Sequence, residues 1–282
     1  MANILSIQSH VAYGHVGNAA AEPALHALGH QVWPVHTVSL SNHPGHGGWR
    51  GRFAAPEEVT EIVRGLEERG FLARCAALLG GYLGDPAMGP ALLDAAARVK
   101  HANPDALFCC DPVMGDVNSG FFVRPGIPEF FRDAVPGIAD IMIPNAFELA
   151  YLAGIAIDEA DALRLGAEAL RARGPGIVIA TGGRAADGEV ATLGLDPAGA
   201  WRLRCPWIED APGNGAGDLF AAIFLGRYLE CRDAARAAAL AVAATHAVLA
   251  DAAARGLAEI DPIAMAGEIS VPPRLFEVER LG

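Results

Sequence analysis

The sequence predicts an α/β fold: a three-layer sandwich with a central, mostly parallel sheet and helices on both faces. Short β-type apolar runs recur along the chain, several are followed by stretches of helical length, and 52% hydrophobic content in 282 residues supplies a large buried core. The runs fall at residues 4–7, 32–36, 75–79, 107–110, 138–143 and 177–180, with helical stretches at 86–101 and 145–152. Beyond Thr181 the pattern gives short strands near 191–194 and 201–206, helices over 215–229 and 232–254, and an edge strand at 276–278. No internal repeat, low-complexity tail or long polar linker interrupts this order, so one domain over 1–282 is expected.

Charge and composition exclude several partners. The net charge is −12, and the 21 Lys and Arg form no run of four or more, so no basic patch for a nucleic-acid backbone is visible. The same field repels a nucleotide triphosphate, so a site for one needs backbone amides, a metal ion and local basic groups to offset it. The Ala-rich stretch 234–250 is interrupted by Arg236 and His246 and reads as a packed helix rather than a membrane span. Five cysteines form an odd set whose spacing fits neither a zinc site nor a stapled secreted domain. Together with an N-terminus unlike a signal peptide, they suggest a cytoplasmic protein with reduced thiols.

In a parallel sheet, ligands bind outside the carboxyl ends of the strands. Here those ends lead into Gln8, Ser9 and His10; into Ser41, Asn42 and His43; into Gly80, Gly81 and Tyr82; and into Asp111 and onward to Asp116. Surface loops are polar in any protein, but so many chemically capable groups on one rim favour a site.

The most informative segment runs from Ala211 to Ala222, APGNGAGDLFAA. Three glycines in five residues before an apolar helix place bare N–H groups and the positive end of the helix dipole where an anion can sit. The segment lacks the Lys-Ser/Thr ending of a P-loop and follows no strand of the kind a dinucleotide fingerprint requires. Asp218, at the mouth of this turn and kept ionised by the dipole, is suited to accept a proton from a hydroxyl attacking a γ-phosphate. Its ordinary role would be to satisfy first-turn amides.

Gly215-Ala216-Gly217-Asp218 resembles the Gly-Thr-Gly-Asp signature of ribokinase-like kinases. The segments from Gln8 to Asn18, from Asp111 to Asp116 and from Pro144 to Glu148 resemble the pyridoxal kinase family in particular, and together the motifs span nearly the whole chain. The resemblance implies ATP-dependent phosphorylation of the 5'-hydroxymethyl group of pyridoxal, pyridoxine or pyridoxamine, in a homodimer. Asp218 would be the base and the amides of Gly215, Ala216 and Gly217 the phosphate cradle. Ser9, His43, Pro44, Gly45, Tyr82 and Phe122 would surround the vitamer beside Asp218. Asp111, Asp116, Ile143, Asn145, Glu148, Thr181, Gly213 and Asn214 would line the ATP side. Asp116 and Glu148 would serve Mg²⁺, through water and with phosphates filling its remaining positions; a monovalent cation beside them is an open requirement.

Two positions depart from the family pattern. Ala216 stands where threonine is usual, and Pro44 follows His43 where threonine is common, so two hydroxyls and one backbone N–H are missing near the substrates. Neither change removes the base or the glycine amides. Other expectations stay open: a hydroxymethylpyrimidine or sugar kinase of the same fold, or a non-catalytic vitamin B6 carrier. Ser9, His43, Tyr82 and Phe122 suit a flat heteroaromatic ring better than a polyol.

Overall fold

The computed structural model describes residues 1–157, 160–184 and 188–282. Ten strands form one sheet: β1 (Asn3–Tyr13), β2 (Gln31–Asn42), β3 (Gly51–Phe53), β4 (Cys75–Gly80), β5 (Leu107–Cys110), β8 (Ile141–Met142), β9 (Ile177–Arg184), β10 (Glu189–Asp196), β11 (Gly199–Pro206) and β12 (Glu279–Leu281). Their order across the sheet is β12-β11-β10-β9-β8-β5-β4-β1-β2-β3. The run from β2 to β9 is parallel, while β3 at one edge and β10, β11 and β12 at the other pair antiparallel. A separate flap of β6 (Gly115–Asp116) and β7 (Gly120–Phe121) lies just beyond β5.

Nine helices are described: α1 (Asn18–Ala27), α2 (Pro56–Glu68), α3 (Met88–Ala102), α4 (Ile127–Asp133), α5 (Ala146–Ala153), α6 (Ala160–Arg171), α7 (Ala216–Cys231), α8 (Ala234–Ala254) and α9 (Ala266–Ser270). The period-two alternation of strands sorts their side chains between two cores. From β1, Ile4 joins Leu25, Phe224 and Val248 of α1, α7 and α8 on one face. Leu5 and Ile7 join Val59, Val63 and Leu92 of α2 and α3 on the other. Each such fully buried aliphatic side chain stabilises the fold by roughly 1.5–3 kcal/mol. The Ala-rich helix α8 buries Ala237, Ala241 and Ala244 completely, because methyl-sized side chains let it lie close on α7. The stretch is a core helix, as its interrupted apolar pattern predicts.

The expected α/β sandwich is present, with three local differences. β1 and β2 run well past the residues expected, to Tyr13 and Asn42, because the two strands continue to pair there. Of 138–143, only Ile141–Met142 is regular strand; Ile138 N–H instead closes a turn onto Val135 O at 3.0 Å. The edge strand is Glu279–Leu281 rather than 276–278: Phe276, 9% exposed, turns into the core against His246, ring centroids 5.2 Å apart, and cannot sit in a solvent-facing ladder.

Candidate active site

The glycine turn is built as its sequence demands. Gly215 caps α7 in the left-handed region, φ 81°, ψ −7°, which glycine adopts without strain. A Cβ there would lie 1.9 Å from His15 O, so the turn between β1 and α1 packs directly on the turn before α7. Ala216 N–H reaches Gly213 O only at 3.5 Å, and the first intrahelical bond runs from Leu219 N–H to Gly215 O at 2.9 Å. The N–H groups of residues 216–218 thus lie in the first turn, where a helix presents amides to an anion.

Asp218 occupies that turn. Burial pushes its carboxyl up to about 6, and the Gly17 N–H facing it only partly offsets the rise. Desolvation outweighs the dipole in setting this value, yet a carboxyl near 6 is still mostly ionised at neutral pH, as expected, and so can accept a proton. Gly17 also borders Ser9, since a Cβ on Gly17 would fall 2.2 Å from Ser9 Oγ. Asp218, Gly17 and Ser9 thus form one continuous contact.

Ser9 is not in a loop, as expected, but inside β1 and 8% exposed. The register of β1 against β2 shifts between Gln8 and His10, an irregularity of the kind that re-aims a side chain at a sheet's functional end. Beneath it, buried polar groups lock β1, β2 and α1 together. Ser6 Oγ donates to Asn18 Oδ1 at 2.6 Å, Gln8 Nε2 to Ser6 Oγ at 2.9 Å, and Asn18 Nδ2 to Val35 O at 3.2 Å.

The loop after β2 brings up His43, Pro44 and Gly45. His43 caps a short 3₁₀ turn, its Nδ1 accepting from Gly45 N–H at 3.1 Å, and burial lowers its pKa against the pull of Glu259. A Cβ on Gly45 would lie 3.4 Å from Asn214 Nδ2, so this loop meets the glycine turn. Tyr82 packs with Val11, Val16, Val38 and Leu40 and accepts from Thr37 Oγ1 at its carbonyl, 2.6 Å. Phe122 is half exposed beside the flap, with its N–H on Met114 O at 3.1 Å; its neighbour Phe121 is the ring that packs, on Phe147 and Tyr151.

Further carboxylates gather beside the glycine turn, after β5 and at the start of α5. Asp111, directly after β5 and 5% exposed, has Oδ2 3.7 Å from where a Gly217 Cβ would be. Burial raises its pKa well above the usual carboxylate range, with Glu148 and Asp218 adding to the rise. Glu148 is fully engaged in holding backbone. Its Oε1 accepts from Met114 N–H at 2.9 Å, its Oε2 from Asn145 N–H at 2.9 Å, and Asn145 Oδ1 returns the bond to Glu148 N–H at 3.0 Å. This is a complete capping box at the start of α5. Burial still lifts Glu148 to about 7. Asn145 Nδ2 donates to Gly115 O at 2.8 Å and its backbone bridges Thr181, tying α5, the flap and β9 together. Asp116 uses Oδ1 to accept from Asn118 and Ser119 N–H, at 2.8 and 2.7 Å. Ile143, 3% exposed, is part of the core, and Gly213 is exposed on the turn.

Among the described residues, no three His, Cys, Asp or Glu side chains converge closely enough to hold a metal ion alone. The donor set fits a hard cation that takes most ligands from water and phosphate: all-oxygen groups whose mutual repulsion a positive charge would relieve.

Sequence reasoning missed Glu259, which receives His15 N–H at 3.2 Å and pairs with His46. A lone glutamate in an irregular segment gives no local signal. It also gave no role to Gly14 and Gly17, although GHVGN between strand and helix marks a turn, and both have positive φ.

The protein-family model described as phosphomethylpyrimidine kinase matches residues 83–263. The chain is 47% identical to pyridoxal kinase PdxY of Rubrobacter xylanophilus, over 99% of this chain and 97% of that one. It is 42% identical to pyridoxal kinase PdxY of Leifsonia xyli, over 99% of each. The pyridoxal kinase of Leishmania donovani in complex with ADP and pyridoxine superimposes with a TM-score of 0.92, at 27% identity over 99% of each chain. The family signatures thus sit on the rim where the glycine turn, Asp218 and Ser9 meet, and the chain belongs to the pyridoxal kinase family of ribokinase-like kinases.

Proposed function

We propose that this protein transfers the γ-phosphoryl group of ATP to the 5'-hydroxymethyl group of pyridoxal, and also of pyridoxine and pyridoxamine, releasing ADP. The observation that carries it is the juxtaposition of Asp218, in the first turn of α7, with the cradle at Gly215 and with Ser9 through Gly17. Asp218 takes the hydroxyl proton while the oxygen–phosphorus bond forms and the bond to the ADP oxygen breaks. The amides of Gly215, Ala216 and Gly217 hold the moving group. Phosphoryl transfer asks little covalent chemistry of a protein, so positioning and charge stabilisation supply most of the acceleration.

Ser9, His43, Pro44, Gly45 and Tyr82 surround the vitamer ring in this proposal, with Phe122 at its outer edge. Asp111, Asn145, Thr181, Gly213 and Asn214 line the ATP side, where Ile143 contributes backbone. Mg²⁺, held near Asp116 and Glu148 through water, would neutralise phosphate charge, with a monovalent cation as a further requirement to be tested. The enzyme would act as a cytoplasmic homodimer.

ADP release measured with ATP, Mg²⁺ and, in parallel, pyridoxal, pyridoxine, pyridoxamine, hydroxymethylpyrimidine and ribose tests this. Turnover on the B6 vitamers is expected. Turnover confined to the pyrimidine or ribose would replace the substrate, and pyridoxal binding without phosphorylated product would identify a carrier.

A further inference from the structure

We propose that Glu259 is a positioning residue that latches the vitamer-side loop onto the phosphate-side turn. It lies after α8, remote in sequence from every motif of the site, and is 9% exposed. One carboxylate oxygen accepts from His15 N–H at 3.2 Å, in the turn between β1 and α1; the other pairs with His46 Nε2, in the loop that carries His43, Pro44 and Gly45. Gly14 makes room for it: φ is +89°, and a Cβ there would lie 2.6 Å from Glu259 Oε2. The next residue, Ile260, is 1% exposed and sits 3.1 Å from where a Gly215 Cβ would be. Two consecutive residues thus touch all three segments of the site.

The loop needs such a tie. Residues 44–50 are exposed. Among the described residues, the hydrogen bonds of the hairpin tip stay within it, from Gly45 N–H to His43 Nδ1 and from Asn42 Nδ2 to Gly48 O, except the one to Glu259. Tyr13 supports His46 only edge-on, ring centroids 5.7 Å apart. A hydrogen bond to a largely buried carboxylate is strong enough to set a loop with few other ties. Glu259 touches neither reacting group, so its influence passes through His46 and His15 to the spacing between ring and cradle.

This rests on the kinase function proposed above, and binding measurements keep the two separable. Calorimetry would give Kd for pyridoxal and for the non-hydrolysable analogue AMP-PNP in wild type, Glu259→Ala, His46→Ala and the double variant. The latch predicts that His46→Ala weakens pyridoxal by about tenfold, the effect of losing one such bond, and that Glu259→Ala, which also loses the bond from His15, weakens it at least as much. AMP-PNP affinity stays within about twofold, and the double variant is no worse than Glu259→Ala. His46→Ala, a change at the loop surface, folds like wild type and keeps the test readable if Glu259→Ala does not. Unchanged pyridoxal affinity in His46→Ala, equal loss for both ligands, or single effects that multiply in the double variant would each overturn the latch. Absence of phosphorylated product from wild type would instead overturn the kinase function and leave the vitamer Kd to report on the loop.

Discussion

Two of the site's carboxylates, Glu148 buried and Asp218 partly exposed, have opposite employment. Glu148 spends both oxygens on backbone N–H groups of Met114 and Asn145, whereas Asp218 meets one backbone N–H, that of Gly17. Both are pushed up by desolvation, to about 7 and about 6. A carboxylate whose lone pairs hold the fold organises the site, while one whose lone pairs remain available can accept a proton. The half of the rim at the start of α5 is thus fixed by side chains gripping backbone. The half around Asp218 depends on close backbone approaches at Gly14, Gly17 and Gly215, with Glu259 lying against Gly14 and pairing with His46.

Breaking the glycine side should have the largest effect. Gly215→Ala forces a side chain into a left-handed residue and onto His15 O, so kcat should fall by about 10²–10³-fold, as on losing an oxyanion-type donor. Steady-state kinetics would show it, and near-normal turnover would mean the turn is not the cradle. Glu148→Gln sets an amide N–H₂ against backbone N–H donors that now meet a carboxylate oxygen, those of Met114 and Gly115 or that of Asn145, and should destabilise the fold by about 1–3 kcal/mol in denaturant unfolding. An unchanged midpoint would remove the distinction between the two carboxylates.

The pH dependence sharpens the same contrast. With Asp218 near 6, kcat/KM should fall about tenfold per unit below that value, on an acid limb that Asp218→Asn abolishes. The folded-state value lies above the ordinary carboxylate value. The group therefore contributes stability in full when protonated, below about 4, and that contribution is lost as pH rises through about 6. Asp218→Asn should consequently raise the melting midpoint at pH 8 by roughly 5 °C, a gain that disappears near pH 4. A lowered midpoint at pH 8 would mean that the carboxylate is satisfied rather than strained. The smallest effect is expected at Ala216: restoring threonine adds one hydroxyl near the phosphate and should raise kcat/KM for ATP by about two- to tenfold.

The layered fold was legible because β-type runs alternate with helical stretches, and because alanine in α8 reads as a packed surface once its interruptions are noticed. The glycine turn and Asp218 were legible for a similar reason: their chemistry is written in consecutive residues. What stayed hidden is non-local. The placement of Ser9 inside β1 depends on pairing with β2, the raised pKa of Asp218 depends on burial under the β1–α1 turn, and Glu259 acquires its partners from residues more than two hundred positions away. The edge strand slipped by three residues because Phe276, apolar enough for a strand, was claimed by the core.

Asp218 carries the central claim, and kcat for pyridoxal phosphorylation by Asp218→Asn, read beside its pyridoxal Kd, tests it most directly. A fall of at least about 10²-fold in kcat with Kd held within a few-fold is expected of a lost general base. Full turnover by the variant would contradict it.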